Sequence, residues 1–91
     1  MTETVTENPE LRRLEMKVDG EVVFATYLRD GDRLVIPHVE APPALRGKGA
    51  ADRFMHGLMA FARAEGMRIV PHCGYARAWM RRHAAYRDLI A

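Results

Sequence analysis

The sequence of 91 residues is 48% hydrophobic and 29% charged, a composition that suits one folded domain with a single core and excludes the disordered class of chains. Its single cysteine excludes an intrachain disulfide and favours the reducing cytoplasm. No apolar run approaches the roughly 20 residues of a membrane helix, so we expect no membrane partner. We predict a flexible tail over residues 1–9, which are acidic and polar, and one domain over residues 10–91.

The formal net charge of +2 conceals an uneven distribution. Residues 1–45 carry nine acids and five bases, whereas residues 46–91 carry three acids and nine bases. A basic half of this kind suits a polyanion, either nucleic acid or a small cofactor with several phosphates. Exposed helix faces would produce the same count without any ligand.

The first half of the chain predicts three strands. Residues 11–18 and 21–29 flank Asp19-Gly20, a dipeptide that favours the type I′ turn of a β-hairpin because both positions need positive φ. Residues 33–40 follow as a β-branched third strand. Pro37 within it cannot donate to a ladder and indicates an edge, a bulge or a point where two strands part.

The second half predicts a helix, a strand and a further helix. After a loop rich in proline and glycine, apolar residues recur at helical spacing, namely Ala51, Phe54, Met55, Leu58, Met59 and Ala62. Gly66 is suited to cap this helix before a fourth strand at residues 67–70, and residues 75–90 form a terminal helix with a break near His83. The predicted fold is α/β (α+β): a mixed sheet of about four strands, an antiparallel hairpin, one central βαβ unit and a C-terminal helix.

The glycine loop at residues 45–51 lies between a predicted strand and a helix. The first turn of a helix offers unpaired N–H groups to an anion, and glycine lets a phosphate approach that backbone. The spacing fits neither a Walker loop nor a dinucleotide fingerprint, because Pro42, Gly49 and Asp52 stand at positions that need other residues. The loop therefore predicts phosphate binding, with a tight strand-to-helix turn as the structural alternative.

Arg46-Gly47-Lys48-Gly49-Ala50-Ala51 resembles the acyl-CoA loop of the GNAT acetyltransferase superfamily, whose pattern is Gln/Arg-x-x-Gly-x-Gly/Ala. The predicted strands and helix also come in the order which that superfamily uses. The resemblance implies acetyl-CoA (coenzyme A) as the cofactor. It implies these cofactor-binding residues: Val39, Leu45, Arg46, Gly47, Lys48, Gly49, Ala50, Ala51, Cys73 and Tyr75.

Three segments together resemble a subfamily of very small, single-domain GNAT-like proteins. They are His38-Val39-Glu40, the glycine loop, and Pro71-His72-Cys73-Gly74-Tyr75 with the basic helix after it. The likeness covers roughly residues 12–90. It implies that Cys73 lies near the acetyl group as a suspected nucleophile, although Gly74 stands where proline or serine is expected.

The catalytic candidates are Cys73, Glu40 and His38. Cys73 follows a parallel strand and precedes a predicted helix, where ligand crevices and reactive cysteines are found, but it equally suits a residue that only lines the pocket. In direct transfer a base must deprotonate the acceptor amine, and Glu40 and His38 share one face of their strand. His72 is a third candidate base. One cysteine and scattered histidines lack zinc spacing, so we expect no metal site.

The favoured hypothesis is a minimal N-acetyltransferase that transfers an acetyl group to an unknown amine acceptor, either a small molecule or a protein. Full-length members of the superfamily that the chain resembles usually carry an additional N-terminal helical segment that helps to build the acceptor pocket. This sequence has only a short tail there, so the resemblance implies an acceptor site that is shallow, supplied by a partner or absent. A non-catalytic acyl-CoA-binding module is the first alternative. A small basic nucleic-acid-binding protein is the second and less favoured one. We expect a monomer or weak dimer.

Overall fold

A computed structural model describes residues 4–91 as one mixed sheet with helices packed on it. The strands are β1 (Thr6–Asn8), β2 (Arg13–Val18), β3 (Glu21–Asp30), β4 (Arg33–Glu40) and β5 (Arg68–Pro71). The helices are α1 (Ala50–Glu65) and α2 (Gly74–Arg82), with 3-10 turns at Pro43–Leu45 and Ala84–Leu89. The strands lie in chain order, antiparallel from β1 to β4, and β5 is parallel to β4. The predicted mixed α+β fold with its βαβ unit is confirmed.

The hairpin between β2 and β3 forms where the sequence predicts it. Asp19 and Gly20 both have positive φ, at 50° and 79°, as a type I′ turn requires. The pairing starts directly at Val18 and Glu21. Strand β2 begins two residues later than predicted, at Arg13, because Arg12 has a φ of 53° and belongs to the preceding turn.

Strand β1 is a fifth strand that the sequence did not predict, because it lies in the segment assigned to a flexible tail. Thr6–Asn8 pairs antiparallel with β2 at the sheet edge. The Glu7 carboxylate accepts hydrogen bonds from Tyr27 and Arg29 of β3. Three residues are too few for a hydrophobic period, so the strand is recognised only by its pairing with β2 and by these side-chain contacts. The first three residues of the predicted tail lie outside the described range.

Strand β4 separates from β5 at Pro37, as the proline predicts. The parallel pairing covers only Arg33 to Ile36, opposite Arg68–Pro71. On the other side of β4, Ile36 and Pro37 together oppose Tyr27, which is a β-bulge. Beyond this point the sheet opens between the two strands, and the gap is named the splay below.

Helix α1 covers one face of the sheet and forms the core with it. Buried residues alternate along the strands, as the period of two requires. The buried residues of α1 are Ala50, Phe54, Met55, Leu58, Met59 and Ala62. These include the predicted stripe except Ala51, which is half-buried. Gly66 caps the helix as predicted, donating its N–H to Ala62 and Arg63.

The C-terminal segment breaks at His83, as predicted, because α2 ends at Arg82 and a 3-10 turn follows. Trp79 is 1% exposed and anchors α2 in the core. After the turn, Ile90 bridges to Ile69 and ties the end of the chain to β5. None of the helices in residues 4–91 has the length and apolar character needed to cross a membrane.

Candidate functional site

The loop between β4 and α1 has an open backbone. A 3-10 turn buries Leu45 and then releases the chain into two left-handed glycines, Gly47 at φ 77° and Gly49 at φ 73°. A Cβ atom at either glycine would meet nothing within 4 Å. The glycines are therefore required by their backbone conformation, and the space beside them is free for a ligand.

Helix α1 begins without a capping side chain. Its N-cap is Gly49, and the first intrahelical bond runs from the Arg53 N–H to the Gly49 carbonyl at 3.1 Å. The N–H groups before Arg53 consequently have no acceptor within the helix. Together with the positive end of the helix dipole they favour an anion at this terminus.

A cavity of about 270 Å³ lies against this terminus. Seven of the predicted cofactor-binding residues line it, namely Leu45, Arg46, Gly47, Gly49, Ala50, Ala51 and Tyr75, and so do Ala41 and Asp52, which the sequence did not predict. Val39, Lys48 and Cys73 are not part of the lining. Since pockets for drug-sized ligands span roughly 300–1,000 Å³, this cavity suits one part of a large cofactor.

Asp52 is the only acid in the first turn of α1, and its carboxylate is held on the α2 side of the helix. Its Oδ1 accepts a hydrogen bond from Trp79 Nε1 at 2.8 Å. Across the cavity, burial raises the pKa of the Tyr75 hydroxyl, and the Asp52 carboxylate adds to that increase. Tyr75 is nevertheless 40% exposed, which gives the cavity an aromatic wall at its mouth.

Cys73 lies at the opposite rim of the splay from the end of β4. Its backbone N–H donates to the Ile36 carbonyl at 3.0 Å, and its own carbonyl accepts from Arg77 at 2.9 Å as the N-cap of α2. The residue is half-buried. A Cβ at Gly74 would meet nothing within 4 Å. Steric crowding therefore does not explain why glycine stands here in place of the expected proline or serine.

His38 and Glu40 meet on the outward face of β4, as the period of two predicts. His38 Nε2 lies 3.1 Å from Glu40 Oε1, and each side chain is 55% exposed. A carboxylate in that position can orient the imidazole ring through this hydrogen bond. The pair faces solvent, so a substrate could reach it directly from outside.

The fold also brings together three side chains that sequence spacing did not connect. Asp52 and His56 lie one turn apart on α1, and His83 joins them from the end of α2. The expectation of no metal site rested on the single cysteine and on the wide scatter of the histidines in the sequence. The four-residue spacing of Asp52 and His56 was visible in the sequence, but the position of His83 depends on how α2 packs.

Comparison with known proteins gives two findings. A family model described as GCN5-related N-acetyl-transferase matches residues 13–89. The NMR solution structure of a GCN5-like protein from Staphylococcus aureus superposes with a TM-score of 0.67, covering 100% of this chain and 91% of that one at 16% identity. At that identity the superposition supports the fold alone. No curated protein matches the chain in sequence.

Proposed function

The chain belongs to the GCN5-related N-acetyltransferase family, and on that premise we propose that it binds acetyl-CoA and transfers the acetyl group to an amine. The observation that carries the proposal is the uncapped start of α1, where Gly49 leaves several N–H groups without an acceptor beside the cavity. This arrangement suits the pyrophosphate of coenzyme A. The cytoplasmic location indicated by the single cysteine belongs to the same proposal.

In this proposal the loop backbone binds the pyrophosphate. The N–H groups of Gly47, Gly49, Ala50 and Ala51 donate to phosphate oxygens, whereas that of Lys48 is already bonded to the Leu45 carbonyl. The helix dipole adds to the attraction. Arg46 and Lys48 are both exposed at the loop surface, where they contribute positive charge. Most of the binding energy comes from the fixed backbone, because its donors need no reorganisation when the anion arrives.

The pantetheine arm would then run along the splay. Beyond Ile36, the side of β4 that faces β5 has no strand paired with it among residues 4–91. Amide groups of an extended ligand can pair with such an edge as an added strand would. A pantetheine arm that starts at the cavity and follows this edge would bring the thioester toward Cys73 at the rim of the splay.

Two routes for the transfer follow from the residues at the splay. In the first, the Cys73 thiolate attacks the thioester carbonyl, a new S–C bond forms, and coenzyme A leaves as a thiolate; an amine then displaces the cysteine sulfur. In the second, the amine attacks acetyl-CoA directly after Glu40 or His38 takes a proton from its ammonium form. The exposed His38–Glu40 pair favours an acceptor that enters from solvent, whether a small amine or a protein.

Binding is tested by titrating acetyl-CoA into the protein by calorimetry. We expect a saturable site in the wild type and a weaker one in Lys48→Glu, whereas Lys17→Glu, an equal charge change at an exposed position of β2, retains the affinity. Equal affinities for the two variants, or no binding to the wild type, would contradict the phosphate site.

Transfer is tested by intact-protein mass measurement after incubation with acetyl-CoA. An adduct of one acetyl group that is absent in Cys73→Ala supports the covalent route. If no adduct forms and Cys73→Ala still acetylates a panel of amines, direct transfer is supported. Binding without acetylation of protein or amine would indicate the non-catalytic module.

The nucleic-acid alternative rests on the basic residues 46–91 alone, and a low-salt DNA titration without response dismisses it.

A further inference from the structure

Beside the cavity, and sharing Asp52 with its lining, Asp52, His56 and His83 form a cluster with the composition of a metal site, here called the α1–α2 cluster. One ligand atom from each residue, a carboxylate oxygen or an imidazole nitrogen, lies within 4.8 Å of the others. We propose that this cluster binds a divalent transition-metal ion of the zinc class. The proposal does not depend on acetyl-CoA binding.

His83 keeps one ring nitrogen available for a metal. Its Nδ1 lies 2.7 Å from the carbonyl oxygen of Trp79, and because a carbonyl only accepts, Nδ1 must carry the proton. In the neutral ring this leaves a lone pair on Nε2, which is the form that a metal requires. The Trp79 indole stacks on the imidazole at 3.7 Å and 13°, which fixes the plane of the ring.

His56 and Asp52 are oriented in the same way. His56 Nδ1 lies 2.9 Å from the Tyr86 hydroxyl, while its Nε2 faces Asp52 Oδ2 at 3.7 Å. Asp52 uses its other oxygen to accept from the Trp79 indole at 2.8 Å. Every proposed ligand thus has its second polar atom held by a neighbouring group. Such supporting hydrogen bonds are a regular feature of protein metal sites.

The set of donors selects the kind of metal. Two imidazole nitrogens and one carboxylate suit zinc, cobalt or nickel, whereas calcium and magnesium prefer oxygen ligands alone. Metal–ligand bonds of about 2.0–2.2 Å place tetrahedral ligand atoms about 3.3–3.6 Å apart. The ligand atoms lie within 4.8 Å of one another, so they must move closer to reach this separation. The side chains of Asp52 and His56 are 52% and 46% exposed and are therefore free to make the small rotations required. Three protein ligands leave one tetrahedral position for water.

A bound ion would link α1 to the C-terminal end of α2. Asp52 and His56 belong to α1, and His83 is the C-cap residue directly after α2. A ligand that binds the folded chain and not the unfolded one stabilises the fold by mass action. A domain of this size has a modest core, so the added link is expected to raise its resistance to urea.

The only tryptophan of the chain reports on the site directly. Trp79 stacks on His83 and is hydrogen-bonded to Asp52, so a paramagnetic ion held by these residues quenches its fluorescence. In tag-free protein at pH 7.5 we expect saturable quenching by Co²⁺ and its reversal by excess Zn²⁺. Absence of quenching, or quenching that Zn²⁺ does not reverse, would overturn the proposal.

Two variants test the assignment of the ligands. We expect His56→Ala to weaken Co²⁺ binding at least tenfold. The control is His72→Ala, which removes an exposed histidine between β5 and α2 and should leave the affinity within a factor of two. Asp52→Asn retains an oxygen acceptor for Trp79 and should also bind at least tenfold more weakly. Circular dichroism confirms the folding of each variant. Equal affinity in His56→Ala and His72→Ala would exclude the α1–α2 cluster as the site.

Discussion

The glycine loop and the α1–α2 cluster meet in the first turn of α1, yet they are built in opposite ways. The loop offers backbone N–H groups that lie within one continuous segment, on both sides of the glycine that caps the helix. The cluster offers side chains from position 52, position 56 and position 83, which only the packing of α2 against α1 unites. A site made of contiguous backbone is visible in a motif. A site made of distant side chains is visible only after the chain has folded.

The largest expected effect concerns Trp79, on which the cluster depends and the loop does not. Trp79→Ala removes a ring that is 1% exposed and should lower the free energy of unfolding by about 3–5 kcal/mol. Tyr75→Ala, at a 40% exposed ring on the cavity, should cost less than about 1 kcal/mol. Urea unfolding monitored by circular dichroism measures both. Equal losses would remove the contrast between the two regions.

The second prediction separates backbone strain from ligand binding in the loop. Gly49→Ala places a Cβ on a φ of 73° and Gly31→Ala on a φ of 62°, with nothing within 4 Å in either case. Both should lose about 1–2 kcal/mol of stability for the left-handed backbone. Only Gly49→Ala should also weaken acetyl-CoA binding, by roughly tenfold. Urea unfolding and calorimetry give the two quantities, and parallel losses of affinity would refute a role specific to the loop.

The third prediction uses the residue that the two regions share. Asp52 lines the cavity and belongs to the cluster, and its negative charge opposes phosphate binding. Metal-free Asp52→Asn should therefore bind acetyl-CoA roughly two- to fivefold more tightly, while its Co²⁺ affinity falls. Asp88→Asn, an exposed acid paired with Arg63, is the control and should change neither affinity. Weaker acetyl-CoA binding in Asp52→Asn would show that the carboxylate supports the cofactor site.

The smallest effect concerns strand β1, which, like the α1–α2 cluster, is assembled by tertiary contacts. Hydrogen bonds from Arg29 and then Tyr27 hold the pKa of Glu7 below its ordinary value. A lowered folded-state pKa contributes stability above the unfolded value of 4.5, and the contribution is lost as pH falls through the folded pKa. Glu7→Gln should cost about 0.2–1 kcal/mol at pH 7, since Arg29 is 39% exposed.

Unfolding of Glu7→Gln and the wild type is compared at pH 7 and at pH 3, with Glu10→Gln as a control at an exposed acid of the adjoining turn. The difference between Glu7→Gln and the wild type should shrink at the lower pH. A difference that persists unchanged there would mean that packing, and not the carboxylate, holds β1 to the sheet.

The sequence by itself determined the features with a local physical cause. Positive φ at Asp19 and Gly20 forces the hairpin, the spacing from Phe54 to Ala62 defines the buried face of α1, and Pro37 ends the parallel pairing. The glycine loop was equally predictable, because its conformation and its helix terminus belong to one continuous segment.

Only the tertiary structure decided the rest. Strand β1 has too few residues for a period and exists through its pairing with β2 and its side-chain contacts with β3. The meeting of His38 with Glu40 follows from strand alternation. The approach of His83 to Asp52 and His56 instead depends on how α2 packs on α1, where the Trp79 indole stacks on His83 and donates to Asp52. Local patterns specify how each segment folds, whereas the distance between side chains of separate segments is set by how those segments share one core.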